Sequence, residues 1–186
     1  MYLMFLFVLL GQSLSHIDLV YHGTTAQVYD WDCALACADT ILEWTGISPS
    51  EDILLEIIKP KRSISFRHLQ EYLQRHGLPS QGYRLEWEHF THFLTENPGN
   101  PLLVHLEENG GHFVLAIGMT PTGVVTSDPA HGVHVIPASD FQVVWSGNVL
   151  YFPSLEPLPK ALEVLRTTVQ RCELLERARR LRPPSF

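Results

Sequence analysis

Residues 110–128, with the sequence GGHFVLAIGMTPTGVVTSD, hold the pattern that decides the fold. Two apolar runs flank the tetrapeptide TPTG at residues 120–123, a combination typical of a turn between two strands. The sequence therefore predicts an antiparallel hairpin. Because the strands on either side of the turn are of similar length, we expect His112, which starts the first strand, to lie beside Asp128, which ends the second.

Further short apolar runs supply the other strands, at residues 101–106, 133–136 and 148–152. With the hairpin they predict an antiparallel sheet of four or five strands in the second half of the chain.

Helical patterns dominate the first half. Asp32 is placed to cap a helix that starts at Cys33 and stops at Gly46. Three more helices are predicted, at residues 52–59 after the capping-box pattern SPSE, from Ser65 to Gly77, and at residues 86–96. N-terminal helices packed against a C-terminal antiparallel sheet make an α+β domain, here expected to have two layers with a cleft between them.

The composition excludes several classes of protein. Of the 186 residues, 45% are apolar and 18% are charged, which indicates a folded domain rather than a disordered chain or a membrane bundle. The formal net charge is −7, whereas nucleic-acid binding depends on clustered Lys and Arg, so no nucleic-acid partner is predicted. Three cysteines without a C-x-x-C pair predict no disulfide framework.

Cys33 is the cysteine whose position suggests chemistry. In the first turn of a helix it lies near unpaired backbone amides, whose partial positive charge favours the thiolate, the attacking form of cysteine. The alternative is a small buried apolar residue, which is what most free cysteines are. We assign that structural role to Cys37 and Cys172.

Three other residues complete a candidate catalytic set with Cys33. Gln27 lies six residues earlier, where its amide could donate a hydrogen bond to an oxyanion, with the Cys33 backbone amide as a second donor. His112 would be the base, and Asp128 would hold its imidazole in the required tautomer. Each residue alone has an ordinary structural explanation, and the combination is what indicates nucleophilic catalysis.

The ten histidines predict no metal site and no cofactor. His89 and His92 share a predicted helix face, and His131 and His134 are close in sequence. Neither pair has a cysteine or acidic partner at a familiar zinc spacing. We interpret these four side chains as surface histidines of an acidic domain.

The order Gln, Cys, His, Asp resembles that of the papain-like cysteine peptidases. Within them the chain is most similar to the bacteriocin-processing peptidases that cleave double-glycine leaders. The similar segments are QVYDWDCALA at residues 27–36, GHFVL at 111–115 and SDPAHG at 127–132, with a weaker likeness at Phe141 and at WSG, residues 145–147.

The resemblance implies a papain-like fold over residues 16–153 and a role for each matching residue. Gln27 would form the oxyanion hole, Cys33 would be the nucleophile, His112 the general base and acid, and Asp128 the orienting acid. The implied substrate is a precursor peptide or protein whose leader ends in two small residues. Ala34 stands where the family usually has glycine, which is expected to tighten the cleft beside the nucleophile.

Two alternatives remain open. One is a non-catalytic peptide-binding accessory module of a secretion or pilus-assembly system, although relatives of that kind typically lack the cysteine. The other is a thiol amidase or acyltransferase acting on a non-peptide amide, because the same triad serves both reactions.

The two ends of the chain have separate interpretations. Residues 1–15 resemble a signal peptide, although no positive charge precedes the apolar run, so we expect export to the periplasm or medium, with the cytoplasm as the alternative. Residues 154–186 predict an amphipathic helix with a basic end. Its apolar stripe is expected to pack on its own domain, and the alternative is a partner protein or an anionic surface bound through Arg177, Arg179, Arg180 and Arg182.

Overall fold

The computed structural model describes residues 23–29, 31–58, 64–108 and 110–180. The expected signal peptide at residues 1–15 lies outside these ranges, as does Arg182. The helices are α1 (Cys33–Trp44), α2 (Glu51–Ile58), α3 (Phe66–Arg75), α4 (Trp87–Glu96), α5 (Ala138–Val144) and α6 (Pro159–Arg180). The strands are β1 (Gln81–Arg84), β2 (Leu102–Leu106), β3 (His112–Thr120), β4 (Gly123–Asp128), β5 (Gly132–Pro137) and β6 (Trp145–Tyr151).

The six strands form one sheet in the order β1-β6-β2-β3-β4-β5, and every neighbouring pair is antiparallel. This confirms the predicted α+β class and the antiparallel sheet of the second half. The predicted strands all form, and the hairpin of β3 and β4 lies at residues 112–128.

Helices cover both faces of the sheet, so the domain has three layers where two were expected. Helices α1, α3 and α6 pack on one face, and α4 and α5 pack on the other. Side chains of a strand alternate between faces. In β3, Leu115 contacts the first helical layer while Val114 and Ala116 contact the second. Burial on both faces explains why the β3 sequence is continuously apolar instead of alternating.

Two elements were not predicted. Strand β1 is exposed at all four positions and pairs with β6 at the edge of the sheet, so no alternation of buried apolar residues marks it. Helix α5 has only seven residues. The predicted start of α2 was one residue late, since the helix begins at Glu51. Helix α3 was predicted to start at Ser65 and begins at Phe66, with Ser65 as its N-cap accepting a hydrogen bond from the backbone of His68 at 3.4 Å.

The first half of α6 packs on the domain, where Ala161, Val164 and Leu165 are buried. Gly118 of β3 makes room for this contact, because a Cβ there would lie 2.7 Å from Leu165 Cδ1. Farther along the helix, Leu174 and Leu175 are exposed. Over the described residues, no helix has both the length and the apolar character that spanning a bilayer requires.

Candidate active site

The β3–β4 hairpin brings His112 and Asp128 together, as predicted, although the two strands differ in length. His112 is the first residue of β3 and Asp128 the last of β4, and His112 Nε2 lies 2.9 Å from Asp128 Oδ1. The strands are not of similar length, since β3 has nine residues and β4 has six. A register shift between Ala116 and Gly118 absorbs one extra residue, and the start of β3 extends past its last residue paired with β4, Leu115, so the His112 side chain reaches back to Asp128. Gly111, with φ of 103°, precedes the histidine, and a Cβ there would lie 2.8 Å from His105 Nε2.

Asp128 is a buried carboxylate whose oxygens accept several hydrogen bonds. Besides His112, Oδ1 accepts from the backbone of Ala130 at 2.7 Å, and Oδ2 accepts from His131 Nδ1 at 3.0 Å. Burial alone would raise the pKa of this carboxyl, but the hydrogen bonds from both histidines and Ala130 hold the pKa well below its usual range. Asp128 is therefore an anion at any pH at which the protein would work.

His112 is mostly buried and stays protonated to unusually high pH. Burial lowers the pKa of the imidazole, but hydrogen bonds with Asp128 and Cys33 and the charges of both outweigh burial and raise the pKa to about 9. Because Nε2 is bonded to Asp128, Nδ1 is the nitrogen left to exchange a proton with Cys33. The imidazole therefore lies between a carboxylate and a thiol.

Cys33 occupies the first position of α1 and is buried. The helix holds it against the sheet, since the Cys37 thiol, one turn later, donates a hydrogen bond to the Phe113 carbonyl at 3.3 Å. Phe113 follows His112 directly, so this bond fixes the start of α1 relative to the start of β3. Burial raises the pKa of the Cys37 thiol well above its usual range, in agreement with the structural role assigned to it.

Gln27 lies beside the loop that follows Asp128. Its backbone amide donates to the Pro129 carbonyl at 3.0 Å, and its side-chain Nε2 donates to the Tyr29 carbonyl at 3.2 Å. Gln27 Oε1 is buried and accepts no hydrogen bond from the described residues. Thr24 and Ser127 join the same two segments through their hydroxyls at 2.6 Å. The segment that leads into α1 is thus bound to the end of the hairpin.

The expected capping role of Asp32 was wrong. Its side chain makes no hydrogen bond to the first turn of α1. Instead Oδ2 accepts from the Val28 amide at 3.1 Å and Oδ1 accepts from the Tyr29 amide at 3.2 Å. The carboxylate therefore closes the loop between Gln27 and Cys33 rather than the helix. Capping and loop closure both satisfy backbone amides, and the sequence pattern does not distinguish them.

His131 is the site residue that sequence reasoning missed. It was paired with His134 as a surface histidine, whereas its ring contacts the Asp128 carboxylate. The available signal was the position of His131 three residues after Asp128, a spacing at which a turn can bring the ring back to the carboxylate. His89 and His92 are exposed on α4, and Cys172 is half-buried on α6.

Several known proteins are similar to this chain in sequence and in fold. The model of the Peptidase C39 family matches residues 22–155. A Bacillus subtilis relative, the SPbeta prophage-derived sublancin-168-processing and transport ATP-binding protein SunT, is 27% identical over 128 residues, which are 68% of this chain. The chain spans only 18% of the length of that relative.

Two solved structures share the fold. One is a double glycine motif protease from an AMS/PCAT transporter in complex with the leader peptide, with a TM-score of 0.60 and 23% identity over 69% of this chain and 89% of the other. The second is the peptidase domain of Streptococcus ComA, with a TM-score of 0.60 and 20% identity over 69% and 95% of the two chains. The papain-like fold predicted from the sequence is confirmed.

Proposed function

We propose that this chain, which belongs to the Peptidase C39 family and is a cysteine peptidase, cleaves precursor peptides or proteins after a leader that ends in two small residues. The residues proposed to carry out the reaction are Cys33, His112, Asp128 and Gln27. The assignment of these residues rests on the hydrogen bond of 2.9 Å between His112 and Asp128, next to Cys33 at the start of α1.

The first step is transfer of the Cys33 thiol proton to His112. Asp128 holds the ring through Nε2, so the thiol proton goes to Nδ1, and with a pKa of about 9 the ring keeps that proton at neutral pH. The imidazolium that forms is stabilised by the buried carboxylate, which together with Cys33 outweighs the effect of burial and raises the pKa of His112 to about 9. The resulting thiolate is the nucleophile, and the partial positive charge at the start of α1 favours it further.

The thiolate then attacks the carbonyl carbon of the scissile peptide bond. The carbonyl oxygen becomes an oxyanion, for which the Cys33 backbone amide and the Gln27 side-chain amide are the proposed donors. One hydrogen of Gln27 Nε2 is bonded to the Tyr29 carbonyl, which orients the amide and leaves the second hydrogen for the oxyanion.

Collapse of the tetrahedral intermediate breaks the C–N bond. His112 gives its proton to the leaving amine, and the N-terminal fragment remains on Cys33 as a thioester. A water molecule, deprotonated by His112, then attacks the thioester and releases the fragment with a free carboxylate. The same imidazole thus acts first as acid and then as base, which requires it to exchange its proton at Nδ1 in both directions.

We infer small residues before the scissile bond from the family and from two similar proteins. One is named as a double glycine motif protease and the other as a sublancin-processing protein. Ala34 does not oppose this proposal. It is buried in the core cluster of α1, so its methyl group packs inward and adds no exposed surface beside Cys33. The non-catalytic alternative is not favoured, because the thiol, imidazole and carboxylate are all present and in contact.

The substrate proposal predicts a strong preference at the two residues before the cut. We expect kcat/KM for a leader peptide ending in Gly-Gly to exceed that for the same peptide ending in Leu-Leu by about 100-fold, because bulky side chains would not fit a narrow cleft. Product analysis by mass spectrometry identifies the cleaved bond, and the Cys33→Ala variant is the blank. Equal cleavage of both peptides would contradict the leader proposal while leaving the peptidase chemistry intact.

A further inference from the structure

His112, Asp128 and His131 form a cluster of metal-ligand groups that peptide hydrolysis does not require as a set. One ligand atom of each residue lies within 4.8 Å of those of the other two. The Asp128 carboxylate lies between the rings, with Oδ1 at 2.9 Å from His112 Nε2 and Oδ2 at 3.0 Å from His131 Nδ1. Two imidazoles and one carboxylate are a donor set that Zn²⁺ accepts.

The spacing of these atoms is close to what zinc needs. Nitrogen and carboxylate oxygen lie about 2.0–2.2 Å from zinc, so neighbouring ligand atoms of a tetrahedral site are about 3.3 Å apart. The contact between His112 Nε2 and Asp128 Oδ1 would therefore lengthen by only a few tenths of an ångström. His131 Nδ1, now bonded to the other carboxylate oxygen and within 4.8 Å of the other ligand atoms, would move closer to them. The ion would replace the hydrogen now shared between carboxylate and imidazole.

Access and charge also suit a cation. The His131 side chain is 72% exposed, whereas that of Asp128 is 4% exposed. An ion can therefore arrive from solvent through His131 and reach the buried carboxylate of Asp128. Cys33 is not a member of the cluster, since the thiol exchanges its proton with the opposite nitrogen of the His112 ring.

We propose that His112, Asp128 and His131 form an inhibitory zinc site, with His131 as the ligand that distinguishes it from zinc capture by the Cys33–His112 pair. Zinc on Nε2 of His112 displaces Asp128 from that nitrogen. The ring is then held by zinc and no longer by the Asp128 hydrogen bond that orients it toward Cys33. Binding of zinc blocks catalysis without touching the nucleophile.

Calorimetric titration of the whole chain with ZnCl₂, in a buffer free of chelators, tests the binding. We expect one zinc per chain for the natural sequence and for Cys33→Ala. Affinity should fall by at least about tenfold in His131→Ala, since even outer-shell changes cost that much. His134→Ala is the matched control, because its ring lies next to that of His131, with centroids 6.1 Å apart, and it should bind zinc as the natural sequence does.

Binding that is lost in Cys33→Ala and kept in His131→Ala would overturn the proposal, as would the absence of any zinc-dependent heat in the natural chain. The inhibition rests on the proposed function, so it is measured separately: zinc should reversibly stop peptide cleavage, and EDTA should restore it. If the chain cleaves no peptide, the calorimetric results still decide whether the zinc site exists. Unchanged melting temperatures of the variants show that they fold.

Discussion

Replacement of Cys33 with alanine is expected to lower kcat/KM for a cleaved peptide by roughly a hundred-thousandfold or more, because no other group in the site can form the thioester. Losses of this size are typical when the nucleophile of a catalytic triad is removed. Residual activity would come only from the remaining oxyanion donors and substrate binding. Initial rates over a range of enzyme concentrations measure the loss.

The matched control for this prediction is Cys172→Ala, the same substitution in the half-buried thiol of α6. It should leave kcat/KM unchanged. Removal of one sulfur from buried Cys33 is expected to cost about 1 kcal/mol of unfolding free energy, so the variant should remain folded. If Cys33→Ala kept more than about a hundredth of the activity, Cys33 would not be the nucleophile.

Replacement of Asp128 with asparagine is expected to shift the alkaline limb of kcat/KM to lower pH. In the natural chain the limb should lie near pH 9, because the leaving amine takes its proton from the His112 imidazolium, whose pKa is about 9. The substitution would remove the buried charge that raises this pKa, while burial would still lower it. If the pKa of His112 falls by about two units, kcat/KM at pH 9 falls by roughly 50-fold. The full pH profile of kcat/KM measures this loss.

The control is Asp140→Asn, which removes an exposed carboxylate from α5 and should leave the pH profile in place. An alkaline limb that stayed near pH 9 in Asp128→Asn would show that His112 is not the group responsible for it. Loss of activity at every pH, without any shift, would point to a disturbed ring orientation rather than to the lost charge.

The sequence predicts the part of the site that depends on local patterns. An apolar run, a turn and a second apolar run determine the β3–β4 hairpin, whose ends bring His112 to Asp128 although β3 is the longer strand. The start of α1 at Cys33 was also predicted, although the side-chain cap expected at Asp32 does not form. Both predictions depend on periodicity and turn chemistry within about twenty residues, which a single sequence contains.

Contacts between distant segments were not predictable in the same way. Gln27 is bound to Pro129, over a hundred residues later, through backbone atoms, and no side-chain pattern reports such a bond. His131 reaches Asp128 only because the turn after Pro129 folds the chain back. Strand β1 lies at the edge of the sheet and is exposed at every position. It is recognised only through its pairing with β6, more than sixty residues away.

Rapid-quench mass spectrometry of the peptidase mixed with a cleaved peptide tests the role of Cys33 most directly. Acid quenching within the first turnover should trap a chain heavier by the N-terminal fragment less one water, and peptide mapping should place the thioester on Cys33. Cleavage that proceeds with no such adduct, or with the fragment attached to Cys37 or Cys172, would contradict attack by the Cys33 sulfur.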